Sequence, residues 1–208
     1  MLFEWNEQTF RWFWDASEYT GYNREMAKLL LPHLAGCETL CDANVRRRAE
    51  EAGMVNLRTI CADGLAAEGR WDGVMALFHG DVENMGENYL EKADRRLILV
   101  VHGSPYGSTG PEKYRVRKCC DVDHTRAWLE RHGYPYRLEL AALEFGQPHR
   151  SFADAVAYTR TFSGNAPEKE LLAYVREHVV ETGREDFPLY TPKQRRFGIF
   201  EIRKEDCI

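Results

Sequence analysis

The feature that most constrains the fold is the order in which short apolar runs and helix-like stretches succeed one another. Residues 38–43 (ETLCDA), 56–63 (NLRTICAD), 71–78 (WDGVMALF), 96–102 (RLILVVH), 136–145 (YRLELAALEF) and 197–203 (FGIFEIR) read as strands. Between them lie the charged stretch 44–52, stopped by Gly53, and helical segments at 82–93, 121–132, 151–162 and 167–182. The run at 96–102 is apolar almost throughout, as expected of a strand buried on both faces in a parallel sheet. Alternation of this kind predicts an α/β fold: a doubly wound, Rossmann-like, mostly parallel sheet with helices on both faces.

The first 35 residues read as helix, with Phe10, Phe13 and Trp14 on one face. A second stretch, 23–34, carries Met26, Leu29, Leu30 and Leu31 before Pro32 disturbs it. Trp12 and Phe13 are expected to pack this segment onto the rest. Residues 104–118 form a Gly/Pro/Tyr-containing loop. There is no repeat and no linker, so 1–208 is read as a single domain, with a helical segment at 1–35 and a helical insertion at 151–194 before the last strand.

Composition narrows the class. Hydrophobic residues make up 44% and charged residues 29%, the balance of a soluble globular protein. No apolar run approaches the ~18 residues that cross a bilayer, so no membrane partner is expected. The aromatic, acidic start MLFEW lacks the marks of a signal peptide, which points to the cytoplasm. A net charge of −5 argues against a nucleic-acid partner. The run Arg46-Arg47-Arg48 is offset by Glu50 and Glu51 within a turn. Six cysteines contain no CxxC pair and no histidine at finger-like spacing, so free thiols and no metal are expected.

In an open parallel sheet, ligands bind beyond the carboxyl ends of the strands. Those ends carry Asp42-Ala43, Ala62-Asp63-Gly64-Leu65, Phe78-His79-Gly80, His102-Gly103-Ser104 and Glu144-Phe145-Gly146. Carboxylates there can accept hydrogen bonds from ribose hydroxyls or an adenine amino group. His79 and His102 are candidate bases, and each is equally open to a structural role.

With LCDA at 40–43, ICADGL at 60–65, WDGVMALFHG at 71–80, RRLILVVHG at 95–103 and RRFGIFEIR at 195–203, the chain resembles the class I S-adenosylmethionine-dependent methyltransferases. The resemblance covers nearly the whole chain. It implies a sheet that ends in a C-terminal antiparallel hairpin, and S-adenosylmethionine as cofactor. It further implies that Asp63 bonds the adenine amino group while Ala62 and Leu65 flank the ring, and that Asp42, Ala43 and Gly64 belong to the cofactor site. Phe78 and His79 then lie near the methionine part, and Trp14, Tyr19 and Tyr22 belong to a lid. Insertions such as 151–194 shape the acceptor pocket in that family, and the acceptor side takes His79, Tyr106 and Glu144.

One departure is large. The glycine-rich loop that the family carries after its first strand is absent, because LCDA runs straight into NVRRRAEEAG. From Glu38 to Asp63 there are 26 residues, whereas two strand–helix–strand units sharing a strand take roughly 55 to 60. Either about 30 residues are deleted at Ala43–Asn44 or the numbering passes over them. The second is preferred, since losing a central strand and helix exposes core.

The function this implies is in-line methyl transfer to a small-molecule acceptor of moderately apolar character. Two readings compete: a methyltransferase-like subunit that binds a partner without catalysis, and a nicotinamide-dependent oxidoreductase, which the lack of any GxGxxG disfavours. The acceptor, the atom methylated and the oligomeric state are not encoded in any motif.

Overall fold

The computed structural model describes residues 6–38, 40–42, 69–78, 82–104, 109–115 and 121–207. Among these are strands β1 (Leu40–Asp42), β2 (Trp71–Leu77), β3 (Ala93–His102), β4 (Arg137–Glu144), β5 (Gln147–His149), β6 (Val180–Glu181), β7 (Leu189–Thr191) and β8 (Gln194–Arg203). The helices are α1 (Glu7–Thr20), α2 (Tyr22–Leu30), α3 (Val82–Lys92), α4 (Val122–Arg131), α5 (Phe152–Phe162) and α6 (Glu168–His178). The chain divides into two compact units. One comprises residues 1–28, 105–118 and 142–195, the other 29–104, 119–141 and 196–208.

The larger sheet has the order β1-β2-β3-β8-β4. β1 pairs parallel with β2, and β2 parallel with β3, whereas β3 pairs antiparallel with β8 from Arg96 opposite Arg203 to His102 opposite Phe197. A second sheet, β5-β7-β6, is antiparallel throughout. The expected doubly wound, mostly parallel Rossmann-like sheet is therefore not what these residues form. Among the described strands, antiparallel pairings outnumber parallel ones. The parallel strands also follow one another across the sheet without the reversal of order that double winding requires. The physical reason is that the apolar run in β3 reports burial on both faces, and burial carries no information about which way a neighbouring strand runs.

Residues 43–68, with the expected helix at 44–52 and strand at 56–63, lie outside the described residues. The 208-residue sequence is continuous through Ala43 and Asn44. The missing segment is thus absent from this chain, which overturns the preference for numbering that passes over it.

In the unit that holds β1–β3, Val74, Leu97, Leu99, Phe200 and Ile202 form one cluster with Tyr89 and Leu90 of α3 and with Trp128 and Leu129 of α4. Trp128 is fully buried and stacks on Tyr134, with ring centroids 5.6 Å apart. α4 starts where the Asp121 side chain accepts the His124 amide at 3.1 Å, satisfying one of the otherwise orphaned first-turn donors. Gly198 of β8 allows close approach of that helix. A Cβ there meets Val122 Cγ2 at 2.7 Å and Leu138 Cδ1 at 3.0 Å. Gly198→Ala is expected to cost about 1–3 kcal/mol through overpacking, read as a lower denaturation midpoint; an unchanged midpoint contradicts the close packing.

In the other unit, α1 opens with a capping box between Asn6 and Thr9. Its buried residues are Thr9, Trp12, Ala16 and Ser17. Phe10 and Trp14 instead lie outward, so the aromatic stripe read from sequence is not the packed face. Trp12 packs as expected, and its indole nitrogen donates to Asp154 Oδ1 at 2.9 Å. The helix expected over 167–182 stops at His178, and Val180–Glu181 joins the small sheet. Among the described residues no helix is long and apolar enough to cross a membrane.

Candidate functional site

Because β1, β2 and β3 are parallel, their carboxyl ends share one edge of the sheet. β3 ends in His102, which is buried, and β2 is followed directly by Phe78. Phe78 is held by its amide, which donates to the Val100 carbonyl at 2.7 Å. Its φ is 52°, the one positive value at a non-glycine among the described residues. A phenylalanine in this region is strained. The strain turns its ring onto the His102 imidazole, with centroids 4.7 Å apart, and edge-on to Phe197 at 6.0 Å. Asp42 ends β1 level with Met75, three residues short of Phe78. Beyond His102, Gly103 lies against the Arg196 backbone, where a Cβ meets Arg196 Cβ at 2.8 Å. Ser104 Oγ accepts the Asp123 amide at 3.0 Å in the first turn of α4.

The unit containing α1 gathers a second set of the expected residues. Tyr19 stacks on Tyr190 at 4.9 Å and meets Phe187 edge-on at 6.0 Å, with the Arg184 guanidinium 5.0 Å from its ring. Tyr22 is buried against Phe145 at 4.5 Å. Burial pushes its hydroxyl up to about 12, against the pull of Arg195. Glu144 accepts from the Tyr190 hydroxyl, from the Lys193 amide at 3.2 Å and from Gln194 Nε2 at 2.6 Å. Burial followed by the Glu144 carboxylate raises the Tyr190 hydroxyl well above the usual tyrosine range. Trp14 stacks loosely on Phe10, at 6.5 Å.

Of the residues expected from sequence, Phe78 and His102 are brought together, and so, separately, are Tyr19 and Glu144 through Tyr190. Ala43, Ala62, Asp63, Gly64, Leu65, His79 and Tyr106 lie outside the described residues.

Two groupings escaped the sequence reading. His33 places Nδ1 3.0 Å from Glu201 Oε2 and Nε2 3.3 Å from Glu139 Oε2, while Arg203 Nε donates to Glu201 Oε1 at 2.7 Å. Burial opposes the charge on Glu201, but hydrogen bonds from His33 and Arg203 outweigh it and hold the carboxyl below its usual range. Lys193, Thr109 and Arg115 form the other grouping. No local signal marks either, since the partners are far apart in sequence.

No protein-family model matches this sequence, and no curated protein matches it either.

Proposed function

We propose that the chain is a cytoplasmic S-adenosylmethionine-dependent methyltransferase acting on a small-molecule acceptor at the carboxyl edge of β1–β3. The observation that carries this reading is Phe78, strained at φ 52° and held ring to ring with His102 at 4.7 Å. Strain of this kind costs roughly 1–3 kcal/mol and persists where the surroundings over-determine it, often at ligand clamps. The cofactor, when bound, supplies a methyl group activated on a positively charged sulfur. An aromatic face is the surface such a cation favours. The residues present fit that group at its methionine end, through the Phe78 ring and the neighbouring imidazole. Asp42 ends a parallel strand at the same edge and is assigned to the cofactor. The role of the chain is then to hold and orient two reactants. His102, and His79 beyond β2, are the groups assigned to take a proton from the acceptor. Asp63, with Ala62 and Leu65, is assigned to the adenine, and Gly64 to the cofactor site.

A second reading, a partner-binding subunit without catalysis, is favoured by the direct run of LCDA into NVRRRAEEAG, which leaves no glycine-rich turn for the cofactor. Calorimetric titration of the full chain with S-adenosylmethionine, S-adenosylhomocysteine and NAD separates them. Both sulfur compounds are expected to bind and NAD not. Phe78→Gly, which relieves the strain while removing the ring, is expected to weaken binding of the sulfonium by about threefold to thirtyfold, the range of a cation–π contact. A folded chain that binds neither sulfur compound defeats the methyltransferase reading and leaves the subunit reading standing.

A further inference from the structure

In the unit containing α1, Lys193 has two guanidiniums, Arg195 and Arg115, among its electrostatic neighbours. Its ammonium donates to the hydroxyl of buried Thr109 at 3.0 Å. Among the described residues, its hydrogen-bond acceptor is therefore a hydroxyl rather than a carboxylate. The nearby carboxylate, Glu144, takes the Lys193 backbone amide, the Tyr190 hydroxyl and the Gln194 side chain instead. Two guanidiniums stand around the same place. Arg115 is tied to the segment that carries Thr109, its Nε donating to the Gly110 carbonyl at 2.9 Å. Arg195 lies across the rings of Phe145 and Tyr22, 5.1 and 5.5 Å from their centroids. Phe145 in turn donates its amide to the Lys193 carbonyl at 2.8 Å, which fixes the position of the lysine along the chain.

An ammonium carries three donor hydrogens, and the two guanidiniums cannot lose their charge in any ordinary environment. One Lys193 hydrogen is used by Thr109. Burial, then Arg195 and Arg115, push the lysine down to about 8, so the surroundings disfavour its charge. The group that relieves such a site is one that brings negative charge and several acceptor oxygens at once. It must also be small, because the lysine is partly enclosed and the chain as a whole carries a net charge of −5, which repels an extended polyanion.

We propose that Lys193, Thr109 and Arg115 form a binding site for a compact oxyanion, a phosphate or carboxylate group carried by a small molecule. Lys193 contributes the donors at the floor, Thr109 orients the ammonium, and Arg115 supplies a planar donor pair from the exposed side. The site is independent of the methyltransferase reading and stands or falls without it.

The test is acylation of amines in the full chain near pH 8, followed lysine by lysine with mass spectrometry. Inorganic phosphate and acetate are each compared with chloride at equal ionic strength. An oxyanion at the site keeps Lys193 protonated and covered, so its labelling slows, while exposed Lys28 and Lys169 label as before. Arg115→Gln alters an exposed side chain and leaves the core untouched. It is expected to raise the anion concentration for half-protection by about fivefold or more, as expected for losing a charge-assisted contact. Protection by phosphate alone assigns a phosphate group, and protection by acetate as well assigns carboxylates; both support the site. No protection by either overturns it. Equal protection in the Arg115→Gln chain means an adventitious ion only, and overturns it too.

Discussion

Gly110→Ala is expected to lower stability by roughly 2–6 kcal/mol, from two costs that add. The first is conformational. Gly110 has φ +129°, a backbone state that side-chain-bearing residues rarely adopt, and holding alanine there costs roughly 1–3 kcal/mol. The second is steric. A Cβ at this position falls 2.3 Å from Ser163 Cβ and 3.2 Å from its Cα. Ser163 has no room to yield, being fully buried at the end of α5 with its hydroxyl donating to the Thr159 carbonyl at 2.6 Å. Forcing a methyl into such packing costs about 1–3 kcal/mol more. Chemical denaturation of Gly110→Ala, Ser163→Gly and the double variant separates the two. The double variant should recover the steric part and keep the conformational one. An unchanged midpoint in Gly110→Ala removes both arguments. The same strain falls beside Thr109, so anion protection of Lys193 should weaken in parallel.

The second large effect is a loss of stability in mild acid that depends on one imidazole. His149 of β5 is fully buried, with Nε2 2.8 Å from Thr191 Oγ1 and Nδ1 3.9 Å from Asp154 Oδ2. Burial lowers its pKa from 6.5 to about 4, with Asp154 pulling the other way. The unfolded chain therefore binds a proton there more readily than the folded one. The contribution of this group is complete above pH 6.5 and falls away as the pH drops toward 4. By linkage the loss relative to neutral pH is about 2 kcal/mol at pH 5 and about 3 kcal/mol at pH 4. Other carboxyl groups titrate in this range, so the measurement is a difference. Denaturation midpoints between pH 7.5 and 4.5 should fall less steeply for His149→Gln than for the original chain. Parallel profiles rule out a burial penalty at His149.

What the sequence made legible follows from what its patterns measure. The apolar runs at 71–78, 96–102 and 197–203 correspond to β2, β3 and β8, because continuous burial leaves a mark on every residue of a strand. Helices α4 and α5 were equally visible, having acidic or hydroxyl caps at Asp121 and Ser151. Strand direction was not visible in the apolar runs: β3 pairs parallel with β2 and antiparallel with β8, and its own sequence does not distinguish the two sides. The small sheet was missed because two and three residues are too few to show alternation, and Pro148 and His149 are poor advertisements for a strand. At the candidate site, Phe78 and His102 were found from strand-end logic alone. The left-handed turn at Phe78 was not, since nothing in WDGVMALFHG distinguishes a strained phenylalanine from a relaxed one. His33 and Lys193 were invisible for a different reason: their meaning lies in partners such as Glu201 and Thr109, which only folding brings near.

The division into two units also has a consequence for how the protein is made. Neither unit is a continuous piece of chain: each takes three stretches, and β8, the strand flanked by β3 and β4, begins only at Gln194. During synthesis, β1 to β3 and α1 emerge long before the segments that complete their surroundings. The larger sheet waits for β8, and the smaller waits for β7 at Leu189–Thr191. Until then the β3 flank that later receives β8 is an open edge, the kind that pairs with other chains. A nascent chain stalled before residue 189 lacks both completing strands and should depend on chaperones in a way that a chain carrying them does not.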